Sequence, residues 1–297
     1  MARILGIGNA TLDIVNIVNE YPLEDSEQRA IDQRISRGGN CANTLVVLSQ
    51  LGHDCAWAGV LADDPNSIPI CLDFDRYQID YSAAERFAGG KVPTSYIINS
   101  RCTATRTIVH WRDLPEYPAE RFFTLALERY DWLHFEGRNL DQVKRMLAHV
   151  KARHPHKPVS IEIEKSRDGI EALFDDADLL LFSRGYAEHC GFSDACAFLE
   201  HLRPRCRSRW LVCGWGDRGA AGIEAQGSAL HVAASPVPLL VETLGAGDVF
   251  NAGMIHALLK GASMTLALTA ACGLAARKCA TSGFDLGLQG DTHTGAA

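Results

Sequence analysis

Asp248 is the first residue whose setting could do chemistry. It follows Gly245, Ala246 and Gly247 and opens a long apolar run. Small residues let backbone N–H groups turn toward an anion without obstruction. A helix beginning there adds free N–H donors and a partial positive charge. An oxyanion or phosphate is comfortable in that field, which is also expected to keep Asp248 ionised. A carboxylate is a weak base, but phosphoryl transfer needs little deprotonation before attack. Position and electrostatics carry most of the rate. Asp248 is therefore a candidate general base for a hydroxyl held within hydrogen-bond reach. The amides of Gly245, Ala246 and Gly247 would face the group in flight. Taken alone, the same residues also describe an ordinary helix N-cap.

A second glycine-opened segment lies near the other end of the chain, Arg37-Gly38-Gly39-Asn40-Cys41-Ala42-Asn43. Asn40 and Asn43 are three apart, so on a helix their amides share one side of the first turn. Amides donate and accept, which suits a neutral polyol. Asn40 alone reads equally well as a cap; Asn43 is harder to explain that way. Upstream, Asp13 closes a strand-like stretch from Gly8, and a carboxylate there accepts two sugar hydroxyls. A solvated loop acid is the plain alternative.

The elements that must position these residues alternate. Ile4–Gly8, Cys55–Val60, Asp131–Glu136, Val159–Ile163, Leu179–Phe182 and Trp210–Cys213 are apolar runs of strand length. Ala42–Leu51, Gly247–Lys260 and Thr265–Cys279 are helical stretches, and Asn139 is placed to cap another with Leu140, Val143, Leu147 and Val150 on one face. Alternation predicts an α/β fold with a parallel sheet covered on both faces. Thr11–Ile35 and Thr94–His110 are β-like but more polar. The second reads as two strands joined by residues 100–104, and the pair of segments fits a small β-sheet lid inserted in one domain spanning 1–297. The last dozen residues read as frayed.

Composition narrows the function. The 297 residues are 47% hydrophobic, enough for a large core, and the net charge of -7 gives no general attraction to nucleic acid or anionic membrane. No run is long enough to span a bilayer and no signal peptide is evident, so a cytoplasmic protein is expected. The ten cysteines form no C-x-x-C pair and read as small buried hydrophobes in a reducing compartment. The eleven histidines show no zinc-type spacing, and no metal ligand is assigned.

The two glycine motifs, in this order and separation, resemble the ribokinase/PfkB carbohydrate kinase family through nearly the whole chain. The resemblance is closer still to its ketohexokinase (fructokinase) branch. It includes Tyr21–Glu27, Gln33–Asn40, Arg106-Thr107-Ile108-Val109, Glu136-Gly137-Arg138-Asn139, Glu162-Ile163-Glu164-Lys165, Val241–Asp248 and Gly283-Phe284-Asp285. It implies a ribokinase-like three-layer α/β/α sandwich with a mostly parallel central sheet. The implied activity is transfer of the ATP γ-phosphate to the C1 hydroxyl of a ketohexose such as fructose. Another ketose, ribose, a sugar acid or a nucleoside is the alternative substrate, and a non-catalytic sugar sensor the remote one.

By the same resemblance, Asp13, Gly39, Asn40 and Asn43 hold the sugar beside the base Asp248. Arg106 reaches the nucleotide phosphates from the lid. Gly216, Asp217, Arg218 and Gly219 run along the ATP phosphates and ribose, and Phe250 and Cys279 wall the adenine, although core packing explains those two equally. Mg2+ is the implied cofactor with ATP, K+ a candidate beside it, and a homodimer through the lid the implied assembly. Three departures stand out. An N-x-x-E segment is missing from Leu181–Glu188, where Arg184 replaces the branch's lysine. Glu242 stands where most members carry Asp. The rim segment Ala62–Ile68 differs from the branch.

Overall fold

Short apolar runs become strands buried on both faces. In the computed structural model, which describes residues 1–103 and 105–288, the chain begins with β1 (Arg3–Ile7), β2 (Thr11–Val18), β3 (Asp32–Gly38) and α1 (Asn40–Gln50). Next come β4 (Asp54–Ala58), β5 (Val60–Ala62), α2 (Ser67–Arg76), β6 (Glu85–Phe87), β7 (Thr94–Ser100), β8 (Arg106–Trp111) and the short α3 (Ala119–Phe122). The middle holds β9 (Trp132–Glu136), α4 (Leu140–Arg153), β10 (Val159–Ile163), β11 (Leu179–Phe182), α5 (Arg184–His189) and α6 (Ala195–Leu202). The chain then runs through β12 (Trp210–Gly214), β13 (Ala220–Glu224), β14 (Leu230–Val232), α7 (Ala246–Leu259) and α8 (Met264–Cys279). Ala104, in the turn expected between the lid strands, and residues 289–297 of the frayed segment lie outside the described residues.

The large sheet has the order β14-β13-β12-β11-β10-β9-β1-β4. It is parallel from β4 to β12; β13 and β14 pair antiparallel at one edge. Every residue of β9, β10 and β11 is buried, as a sheet covered on both faces requires. One core packs α4, α5 and α6 against one face through residues such as Val143, Leu147, Tyr186 and Phe198. The other packs α1, α7 and α8 through Leu45, Val46, Met254, Ile255 and Leu268. These are the three layers expected from the sequence.

A separate four-stranded sheet has the order β3-β2-β7-β8, with β2 and β7 parallel and the outer pairs antiparallel. Asp13 does not close a strand, as the sequence suggested. The chain changes sheets over Gly8–Ala10, and Asp13 is the third residue of β2, in register with Ser36 and Ser95. The run Cys55–Val60 also divides, at Gly59, into β4 and β5. Asn139 occupies the cap position of α4 in a left-handed conformation, φ 47°, but its side chain makes no capping bond. All ten cysteines are free thiols, and Cys102 and Cys190 are exposed rather than buried.

Candidate active site

Two helices start against one another. Gly39 precedes α1 with φ 103°, and Gly245 precedes α7 with φ 79°. Both conformations are strained for residues carrying a β-carbon. Space is equally restrictive: a β-carbon on Gly39 would lie 2.2 Å from the Asn9 carbonyl oxygen, and one on Gly245 would lie 2.1 Å from the Phe284 ring. The helices are tied where they begin, by Thr44 Oγ1 donating to the Asp248 carbonyl at 3.3 Å. Their starts open into a cleft of about 1160 Å³ walled also by the small sheet. Ligand pockets commonly run to about 1,000 Å³, so this one has room for two small molecules.

Asp248 lies in the first turn of α7 and is buried, 6% exposed. Its Oδ2 accepts a 2.6 Å hydrogen bond from Asn43 Nδ2, from the other end of the chain. The expectation that the helix terminus keeps it ionised does not hold. Burial pushes its pKa up to about 8; the Asn43 bond and the Arg37 charge pull down, while Glu164 and Glu136 push up. Glu162 lies near the end of β10, and burial, then the Asp248 charge, holds its carboxyl well above the usual range. Its Oε1 accepts from Asn40 Nδ2 at 3.2 Å and from Asn251 Nδ2 at 3.1 Å, whereas its buried Oε2 has no partner. Asp13, which accepts from Thr11 Oγ1 at 2.8 Å, faces the same cleft, and burial raises its pKa too.

Over residues 1–289 the sequence matches the family model described as pfkB family carbohydrate kinase. The chain belongs to this family. It is thus an ATP-dependent carbohydrate kinase. Among curated relatives of this pfkB kinase, mouse ketohexokinase is 38% identical over 291 residues, spanning 95% of this chain and 98% of that one. An ATP-dependent ribose-1-phosphate kinase from Halopiger xanaduensis is 25% identical, over 92% of this chain and 91% of that one. The structure of Arabidopsis thaliana ribokinase with ribose and ATP superposes with a TM-score of 0.80 at 17% identity, over 98% and 96% of the two chains. At that identity it shows the shared fold alone.

Within this pfkB-family fold, Asp13, Gly39, Asn40, Asn43, Gly245, Gly247, Asp248 and Arg106 all line the cleft. Arg106 is exposed, and its Nη1 donates to Thr243 Oγ1 at 3.4 Å, just before the α7 turn. Ala246 is the first helical residue behind that turn. Gly216, Asp217 and Arg218 form a short 3-10 turn after β12, closed by Gly219, and they stand away from the cleft wall. Phe250 is buried in the core rather than on the cleft wall, with its ring 3.9 Å from where a β-carbon on Gly214 would lie. Cys279 ends α8, and its carbonyl accepts from the amides of Val241 and Glu242 at 2.8 and 3.1 Å. Arg184 is engaged by Glu188 at 2.6 Å and Asp217 at 3.7 Å.

Four residues of the site went unassigned in the sequence. Arg37 is 4% exposed and bridges Asn43 to Asp73. Glu136 accepts the backbone amides of Asn9 at 3.1 Å and Cys41 at 2.8 Å, joining β9 to the start of α1. Glu162 is described above. Lys278 is fully buried; its Nζ donates to Glu242 Oε2 at 2.9 Å and lies 5.5 Å from the Phe284 ring centroid. Burial lowers its pKa to about 8. Glu242, the longer acid noted in the sequence, also pairs with Arg34 of β3 and accepts from the Gly283 amide at 3.0 Å. The sequence offered one signal, since Glu136, Glu162 and Arg37 lie inside the stretches that carry the resemblance.

Proposed function

We propose that this kinase transfers the γ-phosphoryl group of ATP to the C1 hydroxyl of a ketohexose such as fructose. One observation carries the reading: Asp248, Asn43 and Asn40, from opposite ends of the chain, meet in one cleft beside an open glycine turn. The ketohexose rests on the identity with mouse ketohexokinase. Asn40 and Asp13 hold the sugar hydroxyls, with the second Nδ2 hydrogen of Asn43. The acceptor hydroxyl lies against the free Oδ1 of Asp248. Its proton passes to the carboxylate as its oxygen attacks phosphorus and the bond to the leaving ADP breaks. With its pKa raised by burial, Asp248 is ionised in only a minority of molecules at pH 7. The burial that limits this fraction also makes the ionised form a stronger acceptor.

The amides of Gly245 and Gly247, with Arg106, face the transferring group; that of Ala246, expected to join them, is instead bonded to the Thr243 carbonyl at 3.2 Å. ATP extends from there past Phe250 and Cys279 toward Gly216, Asp217, Arg218 and Gly219. Mg2+, when bound, would neutralise phosphate charge. Among the described residues no three His, Cys, Asp or Glu side chains cluster as a metal cage. Mg2+ commonly binds through one or two carboxylates, waters and substrate phosphates. Glu162, with its unpartnered Oε2, and Glu164 suit that role on the cleft wall. The small sheet acts as a lid on a single kinase domain. Its exposed Tyr96, Val109 and Trp111 support a homodimer through that sheet.

ATP consumption across ketoses, aldoses, ribose, sugar acids and nucleosides, with NMR of the product, tests the reading. Fructose phosphorylated at C1 is expected. Turnover of ribose or a nucleoside orders of magnitude above that of every ketose would replace it.

A further inference from the structure

The side chain of Asn43 is committed at both ends. Arg37 Nη1 donates to its Oδ1 at 2.6 Å, and its Nδ2 donates to Asp248 Oδ2 at 2.6 Å. A guanidinium only donates, so the atom facing Arg37 must be the amide oxygen. The amide nitrogen is then forced toward Asp248. With the amide turned over, NH2 would face the guanidinium, donor against donor, and that contact would repel. Arg37 is itself fixed. Its side chain is 1% exposed, its Nε donates to Asp73 Oδ2 at 2.6 Å, and its guanidinium lies 5.8 Å from the Phe74 ring centroid and 5.6 Å from that of Phe284. Four elements thus meet in one line: α2 holds β3, β3 orients α1, and α1 grips the acid of α7.

From this geometry we infer that Arg37 is a positioning residue for the transfer step. It sets the amide of Asn43 so that Asp248 Oδ2 is occupied and Oδ1 is left for the substrate hydroxyl. The inference rests on Asp248 being the base. Arg37 touches neither sugar nor ATP in this scheme and acts only through Asn43. It also biases Asp248 toward the carboxylate, since both the Arg37 charge and the Asn43 bond favour the ionised form. The other charged or titratable groups around Asp248 are Glu136 of β9, Glu162 of β10, Glu164 after β10, the Cys41 thiol of α1 and Lys278 of α8. The carboxyls oppose ionisation, so the Arg37–Asn43 line is its chief support from the α1 side.

The test is the pH dependence of turnover with fructose and Mg-ATP for wild type, Arg37→Met, Arg37→Lys, Asn43→Ala and the Arg37→Met/Asn43→Ala double variant. Arg37→Met is expected to lower kcat at least tenfold at pH 7, with sugar KM changed less than threefold. Its acid limb should move up by roughly half to one pH unit. Arg37→Lys should recover part of both changes. The double variant should turn over no more than about threefold below Asn43→Ala, because Arg37 works through that amide. An unmoved acid limb in Arg37→Met, or losses that multiply in the double variant, would overturn the inference. Should Arg37→Met not fold, Arg37→Lys and Asp73→Asn keep the cation and read the positioning alone: kcat should fall severalfold with the acid limb and sugar KM little changed, and an unchanged kcat in both would overturn the inference. Asp248→Asn run alongside separates the two levels. If it retains turnover, the base assignment is lost; if it is inactive while Arg37→Met keeps the wild-type profile, only this inference is lost.

Discussion

The starts of α1 and α7 share a design and differ in what they leave open. Each follows a glycine with positive φ, and neither has a side-chain cap. At α1 the groups are tied to their neighbours: Gly39 sits against the Asn9 carbonyl, Cys41 N donates to Glu136, Asn40 to Glu162 and Asn43 to Asp248. At α7 a β-carbon on Gly247 would meet nothing within 4 Å. The first start is a finished surface shaped to hold something rigidly. The second leaves open space beside Gly247, as a group in transit requires, although the Ala246 amide of the same turn is bonded to the Thr243 carbonyl at 3.2 Å. Preorganised neighbours fix the polyol side, and only the phosphoryl side needs a ligand to complete it.

That contrast can be broken from several directions. The largest stability effect is expected behind α7, where Lys278 and Glu242 brace the open turn. Lys278→Met leaves a buried carboxylate with less compensation and should cost about 3–5 kcal/mol in denaturant unfolding, with Glu242→Gln added on top restoring much of it. Gly39→Ala should cost about 2–4 kcal/mol, because both φ and the 2.2 Å approach to Asn9 oppose a β-carbon. Gly247→Ala should do the reverse. Its backbone is helical and unobstructed, so unfolding free energy should hold or rise by about 0.5–1 kcal/mol while turnover falls tenfold or more. Equal stability losses at Gly39 and Gly247 would erase the distinction.

A smaller effect follows from the raised pKa of Asp248. The folded state binds this proton more tightly than the unfolded chain, so this group's contribution to stability declines as pH rises from about 4 to about 8. Asp248→Asn removes that decline. Its Tm should exceed that of wild type by a margin that widens between pH 5 and pH 8 in calorimetry, and a constant margin would count against burial as the cause. The same carboxyl should give kcat/KM an acid limb that levels off above about pH 8.

The strands were legible because β9, β10 and β11 are buried throughout and so appear as unbroken short apolar runs. The two helix starts were legible because their glycines lie beside the functional residues in sequence. The ionisation of Asp248 was not, since the dipole is a local property of the helix whereas the burial that raises its pKa comes from elements distant in sequence. Nor was the role of Arg37, whose partner Asp73 lies 36 residues away, or that of Lys278, paired with Glu242 across the same distance. Asp13 was found but misplaced, because nothing in Gly8–Asp13 marks where the chain leaves one sheet for the other.

The most direct measurement compares Asp248→Asn with wild type for fructose binding, by calorimetry, and for single-turnover transfer from Mg-ATP. Binding should stay within a few-fold while transfer falls by about 10²–10⁴-fold. Transfer within a few-fold of wild type would contradict Asp248 as the group that takes the proton.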